Sequence, residues 1–338
     1  MRLLIAPNAF KNSLTATDAA VALRDGFAAS RLEAVCRLFP VADGGDGTAD
    51  LLVDALQGSK ISGSVNDPLG RPIDAWFGLI DQGRTAIIEM ANASGLRLLK
   101  PRELNAMRAS SFGTGQQVLQ ALDKGARKII VAMGGSATTD GAIGMLQALG
   151  VRFRNSAGDA LEAIPASFDQ MVSIDLSGLD PRVNDSEIIV LCDVDNRLLG
   201  AKGAAAMFGP QKGASDAEVR QLDQGLQRFA MLVKAANGKD ISDMAYGGTA
   251  GGASAGLYAC INAKLVHGIE YFLDMTGFDQ ALEGADLVIT GEGSIDEQTL
   301  QGKAPFGVAR RARRKGLPVI GIAGKVPLDD SAALAAYF

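Results

Sequence analysis

The sequence predicts an α/β fold: a discontinuous, Rossmann-like parallel-sheet domain built from both chain ends, with a second α/β domain inserted between them. Three observations carry this prediction. Five apolar, β-branched runs end abruptly in glycines mixed with acidic, hydroxyl or basic residues. Leu3–Pro7 leads into Asn8–Lys11, Lys128–Met133 into Gly134–Gly141, and Glu187–Leu191 into Cys192-Asp193. Asp286–Thr290 leads into Gly291–Asp296, and Pro318–Ile322 into Ala323–Lys325. Runs that are apolar on both faces read as buried parallel strands. Secondly, helical patterns follow the strands at both chain ends, whereas the stretch after Ser59 reads as short strands and tight turns. Thirdly, 338 residues is length enough for about two ordinary domains.

In chain order, Arg2–Ala6 is the first predicted strand. The first helix starts at Thr15, which precedes Asp18 by three positions, with Ala19, Leu23 and Phe27 on one apolar face. Val35–Phe39 and Thr48–Leu56 give the next strand and helix, and β-α-β-α favours a parallel sheet. Ser59–Val65, Ala75–Ile80 and Thr85–Met90 are strand-like runs separated by Asn66–Gly70 and Asp81–Gly83, a pattern of antiparallel ribbon. A helix over Gly115–Lys124, the strand Lys128–Met133, a helix over Ala142–Leu149 and a strand at Val151–Arg154 follow. Ser215–Glu218 is a capping box, opening a helix whose stripe is Val219, Leu222, Leu226, Phe229 and Val233. The tail returns to strand Asp286–Thr290, helix 303–314 and strand Val319–Ala323. Residues 1–60 with 284–338 are therefore expected to form one domain, and 61–283 the inserted one.

Hydrophobic residues make up 47% of the chain and the formal net charge is −5, so a large core forms and no global field draws nucleic acid. Cys36, Cys192 and Cys260 are scattered and odd in number, which fits a reducing cytoplasm. No signal peptide or membrane span is visible. A single histidine, His267, argues against a His-based metal site or a Ser-His-Asp triad. The sequence leaves the oligomeric state open, a homo-oligomer included.

In open α/β sheets, ligands bind beyond the carboxyl ends of the strands. Neither Gly-x4-Gly-Lys-Ser/Thr nor an N-terminal Gly-x-Gly-x-x-Gly occurs, which argues against a P-loop and against an ordinary dinucleotide fold. Gly134–Gly141, between a strand and a helix, combines backbone donors, hydroxyls and a helix N-terminus, a setting for phosphate. Asp43 and Asp46 flank Gly44-Gly45 and could offer hard oxygens to Mg²⁺. Asp193, Asp195, Glu292 and Asp296 stand at strand ends, where a carboxylate can take a hydroxyl proton or bind a metal. Lys11, Arg71, Lys212, Lys303 and Lys325 occupy loops and could neutralise a phosphate or a carboxylate.

Several strings, in this order, resemble the bacterial glycerate kinase family whose members do not use a P-loop. They are Ala6–Leu14, Ala42–Thr48, Asp67–Pro72, Glu89–Leu96, Gly134–Gly141, Phe208–Ala214, Ile289–Asp296 and Gln298–Lys303. The resemblance implies ATP-dependent phosphorylation of D-glycerate to 2- or 3-phosphoglycerate with Mg²⁺. With it, Gly134, Gly135, Ser136, Gly291, Glu292 and Gly293 are expected to bind nucleotide, and Asp43 and Asp46 to hold the metal. Asp193 or Asp296 is expected to accept the hydroxyl proton while Lys11 balances the transferring group. Arg71, Ser13 and Lys303 are expected to bind the substrate. The chain departs from the family pattern at Arg197, where proline is usual, and in its apolar end Ala335-Ala336-Tyr337-Phe338, where no closing helix is expected.

Overall fold

In the computed structural model, Leu3, Leu4, Ile5 and Ala6 are all buried, as a strand with neighbours on both sides requires. The structure describes residues 1–11, 13–162, 164–327 and 331–338, the side chains of Gln298 and Gln301 apart. Asn12 and those two side chains, all within the family-like strings, lie outside the described residues.

The chain divides into two compact units, one joining Met1–Leu56 to His267–Phe338 and the other formed by Gln57–Val266. The smaller unit holds a four-stranded sheet in the order Val319–Lys325, Leu287–Ser294, Arg2–Pro7, Val35–Leu38. All neighbours are parallel, with Leu3 opposite Leu287 and Val288 opposite Val319. Thr15 Oγ1 caps the helix Ala16–Ala28 by accepting from the Asp18 amide. Ala19 is buried there while Leu23 and Phe27 pack half-buried beside Leu3 and Ile5. The sequence places the second domain boundary at 283/284, whereas the units divide at 266/267. The helices Gly268–Met275 and Phe278–Ala281 belong with the terminal strands because Phe278 meets Phe39 edge-on at 5.1 Å and Glu270 pairs with Arg310 and Arg311. Ser331 caps one helical turn, Ala332–Ala335, and residues 336–338 beyond it are not helical.

The larger unit carries a six-stranded sheet in the order Lys264–His267, Glu187–Cys192, Lys128–Ala132, Thr85–Glu89, Pro72–Ile80, Ser59–Asn66. Its last three strands pair antiparallel, the ribbon that the turn signals predict, and the three from Thr85–Glu89 to Glu187–Cys192 pair parallel. The helix Asp216–Asn237 opens on the Ser215/Glu218 capping box and ends at the left-handed Gly238. Leu222, Leu226, Phe229 and Val233 are buried along it, and Val219 is half-buried. Phe77, Phe153 and Phe229 are fully buried, each contributing about 1.5–3 kcal/mol of transfer free energy. No helix among the described residues is long and apolar enough to cross a membrane.

Candidate active site

In the larger unit the parallel strands end on polar residues drawn from separate parts of the chain. After Lys128–Ala132, Gly134 is buried, Gly135 is exposed with a left-handed φ of 71°, and Ser136 is buried. This segment pairs with a neighbouring one: the Leu96 amide donates to the Gly135 carbonyl at 2.9 Å, and the Ala137 amide to the Ser94 carbonyl at 2.8 Å. Lys212, only 3% exposed, reaches in from the turn Pro210–Lys212. Its Nζ donates to Ser136 Oγ at 3.0 Å and to the Thr138 carbonyl at 2.6 Å. Burial pulls this ammonium down to about 8, against the raising influence of Asp140 and Asp193. Asp193 is half-buried one residue beyond the strand Glu187–Cys192.

Asp140 changes the reading of the glycine segment. Its wholly buried carboxylate accepts from the Ser111 amide at 2.8 Å, Ser111 Oγ at 2.6 Å, and the Ala142 and Gly144 amides at 3.2 Å. The start of the short helix Ile143–Ala148 is thus served by an internal carboxylate, whose own pKa burial raises. The helix N-terminus that the sequence offers to a phosphate is therefore occupied from within, and Gly134, Gly135 and Ser136 are what the segment presents.

The same segment rests on a second glycine-rich run. Ala250, Gly251 and Gly252 are left-handed inside the helical stretch Thr249–Ile261, and the Gly251 carbonyl accepts from the Gly141 amide at 3.1 Å. A Cβ on Gly251 would lie 2.2 Å from the Thr138 oxygen that receives Lys212, so only glycine fits there. Arg71 has its Nε on Asp67 at 2.6 Å and its Nη1 on Glu103 at 2.8 Å. Much of its guanidinium is engaged within the protein.

In the smaller unit a different cluster forms. Asn8 Nδ2 donates to Asp43 Oδ2 at 3.2 Å. Glu292 is 9% exposed, accepts from Thr299 Oγ1 at 3.3 Å, and lies 3.6 Å from Lys303 Nζ. Burial pushes its carboxyl up to about 7; Lys303 and Thr299 oppose the rise, and the Asp43 charge adds to it. Gly291 and Glu292 are not loop residues as the sequence suggests, because the strand runs on to Ser294 and pairs Glu292 with Ala323. Gly293 lies in the same strand, beside the Lys11 amide. The Asp296 amide donates to Thr299 Oγ1 at 3.1 Å, which ties Asp296 to Glu292 through one hydroxyl. Lys11, Ser13 and Asp46 are exposed, and Ser13 closes a tight turn on the Phe10 carbonyl.

The sequence matches the glycerate kinase family over residues 3–338. It is 46% identical to the glycerate kinase of Bacillus subtilis (strain 168), over 98% of this chain and 87% of that one. It is 43% identical to the glycerate 2-kinase of Escherichia coli (strain K12), over 97% and 86%. A crystal structure from Salmonella typhimurium LT2, assigned as glycerate kinase 2, superposes with a TM-score of 0.84 at 44% identity, covering 97% of this chain and 90% of that one. The chain belongs to the glycerate kinase family. It is an enzyme, a phosphotransferase with an alcohol acceptor. In the sequence of this glycerate kinase Lys212 is one of five basic loop residues, and nothing marks its burial. The supporting run Ala250–Gly252 is marked there only by Gly247-Gly248, Gly251-Gly252 and Gly256 amid small residues.

Proposed function

We propose that this glycerate kinase transfers the γ-phosphoryl group of ATP to the 2-hydroxyl of D-glycerate, giving 2-phosphoglycerate and ADP. The E. coli relative's name, glycerate 2-kinase, supports the choice of hydroxyl. The observation that carries the reading is the grouping of Ser136, Lys212 and Asp193 beyond the ends of adjacent parallel strands.

Catalysis of phosphoryl transfer is chiefly positioning and charge neutralisation. In this reading Asp193 accepts the proton of the glycerate hydroxyl as its oxygen bonds to the γ-phosphorus and the bond to the bridging oxygen breaks. Gly134, the exposed Gly135 and Ser136 border the phosphates. Arg71 takes the substrate carboxylate with whatever donors Asp67 and Glu103 leave it, and Ser13 lies with the substrate. Lys11 and Lys303 balance phosphate charge beside Gly291, Glu292 and Gly293, while Asp296 is the alternative base.

Mg²⁺ typically takes one or two protein carboxylates plus substrate phosphates. No group of three His, Cys, Asp or Glu poised for a metal exists among the described residues. Asp43 and Glu292 nevertheless supply hard oxygens whose charges already repel one another, a donor set that fits this ion. Exposed Asp46 would join from the same loop. When bound, the ion neutralises charge on the β- and γ-phosphates. All three cysteines are free, Cys192 and Cys260 being buried, in keeping with a reducing cytoplasmic setting.

Phosphorus NMR of the product made from ATP and D-glycerate tests the reading. It is expected to show phosphate on carbon 2 with stoichiometric ADP. Phosphate on carbon 3 alone would overturn the assigned hydroxyl, and no glycerate-dependent ADP would overturn the substrate.

A further inference from the structure

Lys212 is buried more completely than any other lysine or arginine among the described residues. An ammonium has three N–H donors and no acceptor. Two of them go to Ser136 Oγ and the Thr138 carbonyl, groups 76 and 74 positions away in the sequence. The consequence falls on the serine. Its oxygen already accepts from a cation, so its own proton is directed to another partner, and a neighbouring positive charge makes that O–H a stronger donor. The same segment holds Thr138 Oγ1 and Thr139 Oγ1, both buried with no hydrogen-bond partner among the described residues. Buried polar atoms in a purely structural turn are normally satisfied. This segment instead keeps two hydroxyls in reserve beside a held cation.

We infer that Lys212 is a positioning residue for Ser136: it holds the hydroxyl in place and polarises it, so that the O–H donates to a phosphoryl oxygen during transfer. The inference rests on the phosphoryl transfer proposed above. Two acids face the ammonium: Asp140, on the same segment as Ser136, and Asp193, at the end of Glu187–Cys192. Asp140 is committed to Ser111, Ala142 and Gly144, so it balances charge without displacing the serine. Because burial brings Lys212 down to about 8, its charge is lost as pH rises through that value, and the polarising effect goes with it.

The test compares Lys212→Met, Ser136→Ala and the double variant by steady-state kinetics across pH 6–10, with ATP and D-glycerate as substrates. Wild type is assayed first. Absence of glycerate-dependent ADP there would sink the proposed reaction itself, separately from this inference. Given turnover, each single variant is expected to lower kcat by about 10²-fold, the usual loss for one preorganised donor. The double variant is expected to fall no further than about threefold below the weaker single, since the two act as one unit. The wild-type alkaline limb near pH 8 is expected to vanish in Ser136→Ala. Multiplying losses in the double variant, or an alkaline limb unchanged in Ser136→Ala, would overturn the inference. Should Lys212→Met fail to fold, the Ser136→Ala pH profile decides alone.

Discussion

The two clusters of ionisable groups look alike in sequence and differ in how their charges are met. In the larger unit the cation Lys212 is sealed in and held by Ser136 and Thr138, and Asp140 is saturated by four donors. In the smaller unit Glu292 and Asp43 repel one another, with Lys303 at 3.6 Å as a loose counter-charge. The first arrangement is densely hydrogen-bonded and internally balanced, suited to fixing donors in place. The second carries surplus negative charge, which a cation brought with the nucleotide would relieve.

Gly251 is where the larger unit's cluster is most vulnerable. Gly251→Ala puts a Cβ against the Thr138 carbonyl at a residue with φ of 69°. Destabilisation of about 2–4 kcal/mol in urea unfolding is expected, with a loss of about 10²-fold in kcat because the Thr138 acceptor of Lys212 moves. A variant of native stability and rate would show that the segment is not held from behind.

Glu292 sharpens the other side. Its folded-state pKa, about 7, lies above the ordinary carboxyl value of 4.5, so the native state binds more protons than the unfolded one between them. Stability is therefore highest below pH 4.5 as far as this group is concerned, and is lost as pH rises toward 7, by at most about 3 kcal/mol. In metal-free buffer, Glu292→Gln is expected to flatten that slope and to be the more stable protein at pH 8. An unchanged slope would mean the carboxylate is already relieved by its neighbours.

Much of the frame was legible because its signals are local. The capping pairs Thr15/Asp18 and Ser215/Glu218 mark helix starts by side chain–backbone hydrogen bonds three residues apart, and apolar runs such as Ile129–Val131 leave strands little alternative. The rest depends on partners distant in sequence. Nothing near Lys212 reveals that it is buried, since its acceptors lie in a segment more than seventy residues earlier. Gly291-Glu292 reads as a loop because glycine weakens strand patterns, yet Gly291 pairs with Ile322 inside the ladder. The helical stretch Thr249–Ile261 has no apolar period, because nearly all of it is buried and small. Arg71 reads in the sequence as a lone basic loop residue, although Asp67 four positions earlier is the partner that holds it.

The most direct test of the account is one Mg²⁺ titration of turnover, run on wild type, Asp43→Asn and Asp193→Asn. Asp43→Asn is expected to need at least about tenfold more Mg²⁺ for half-activation and to approach the wild-type rate at saturation. Asp193→Asn is expected to keep the wild-type Mg²⁺ dependence with kcat lowered by about 10²- to 10⁴-fold throughout. Rescue of Asp193→Asn by the metal, or an Asp43→Asn enzyme indifferent to it, would contradict the division of labour between the two clusters.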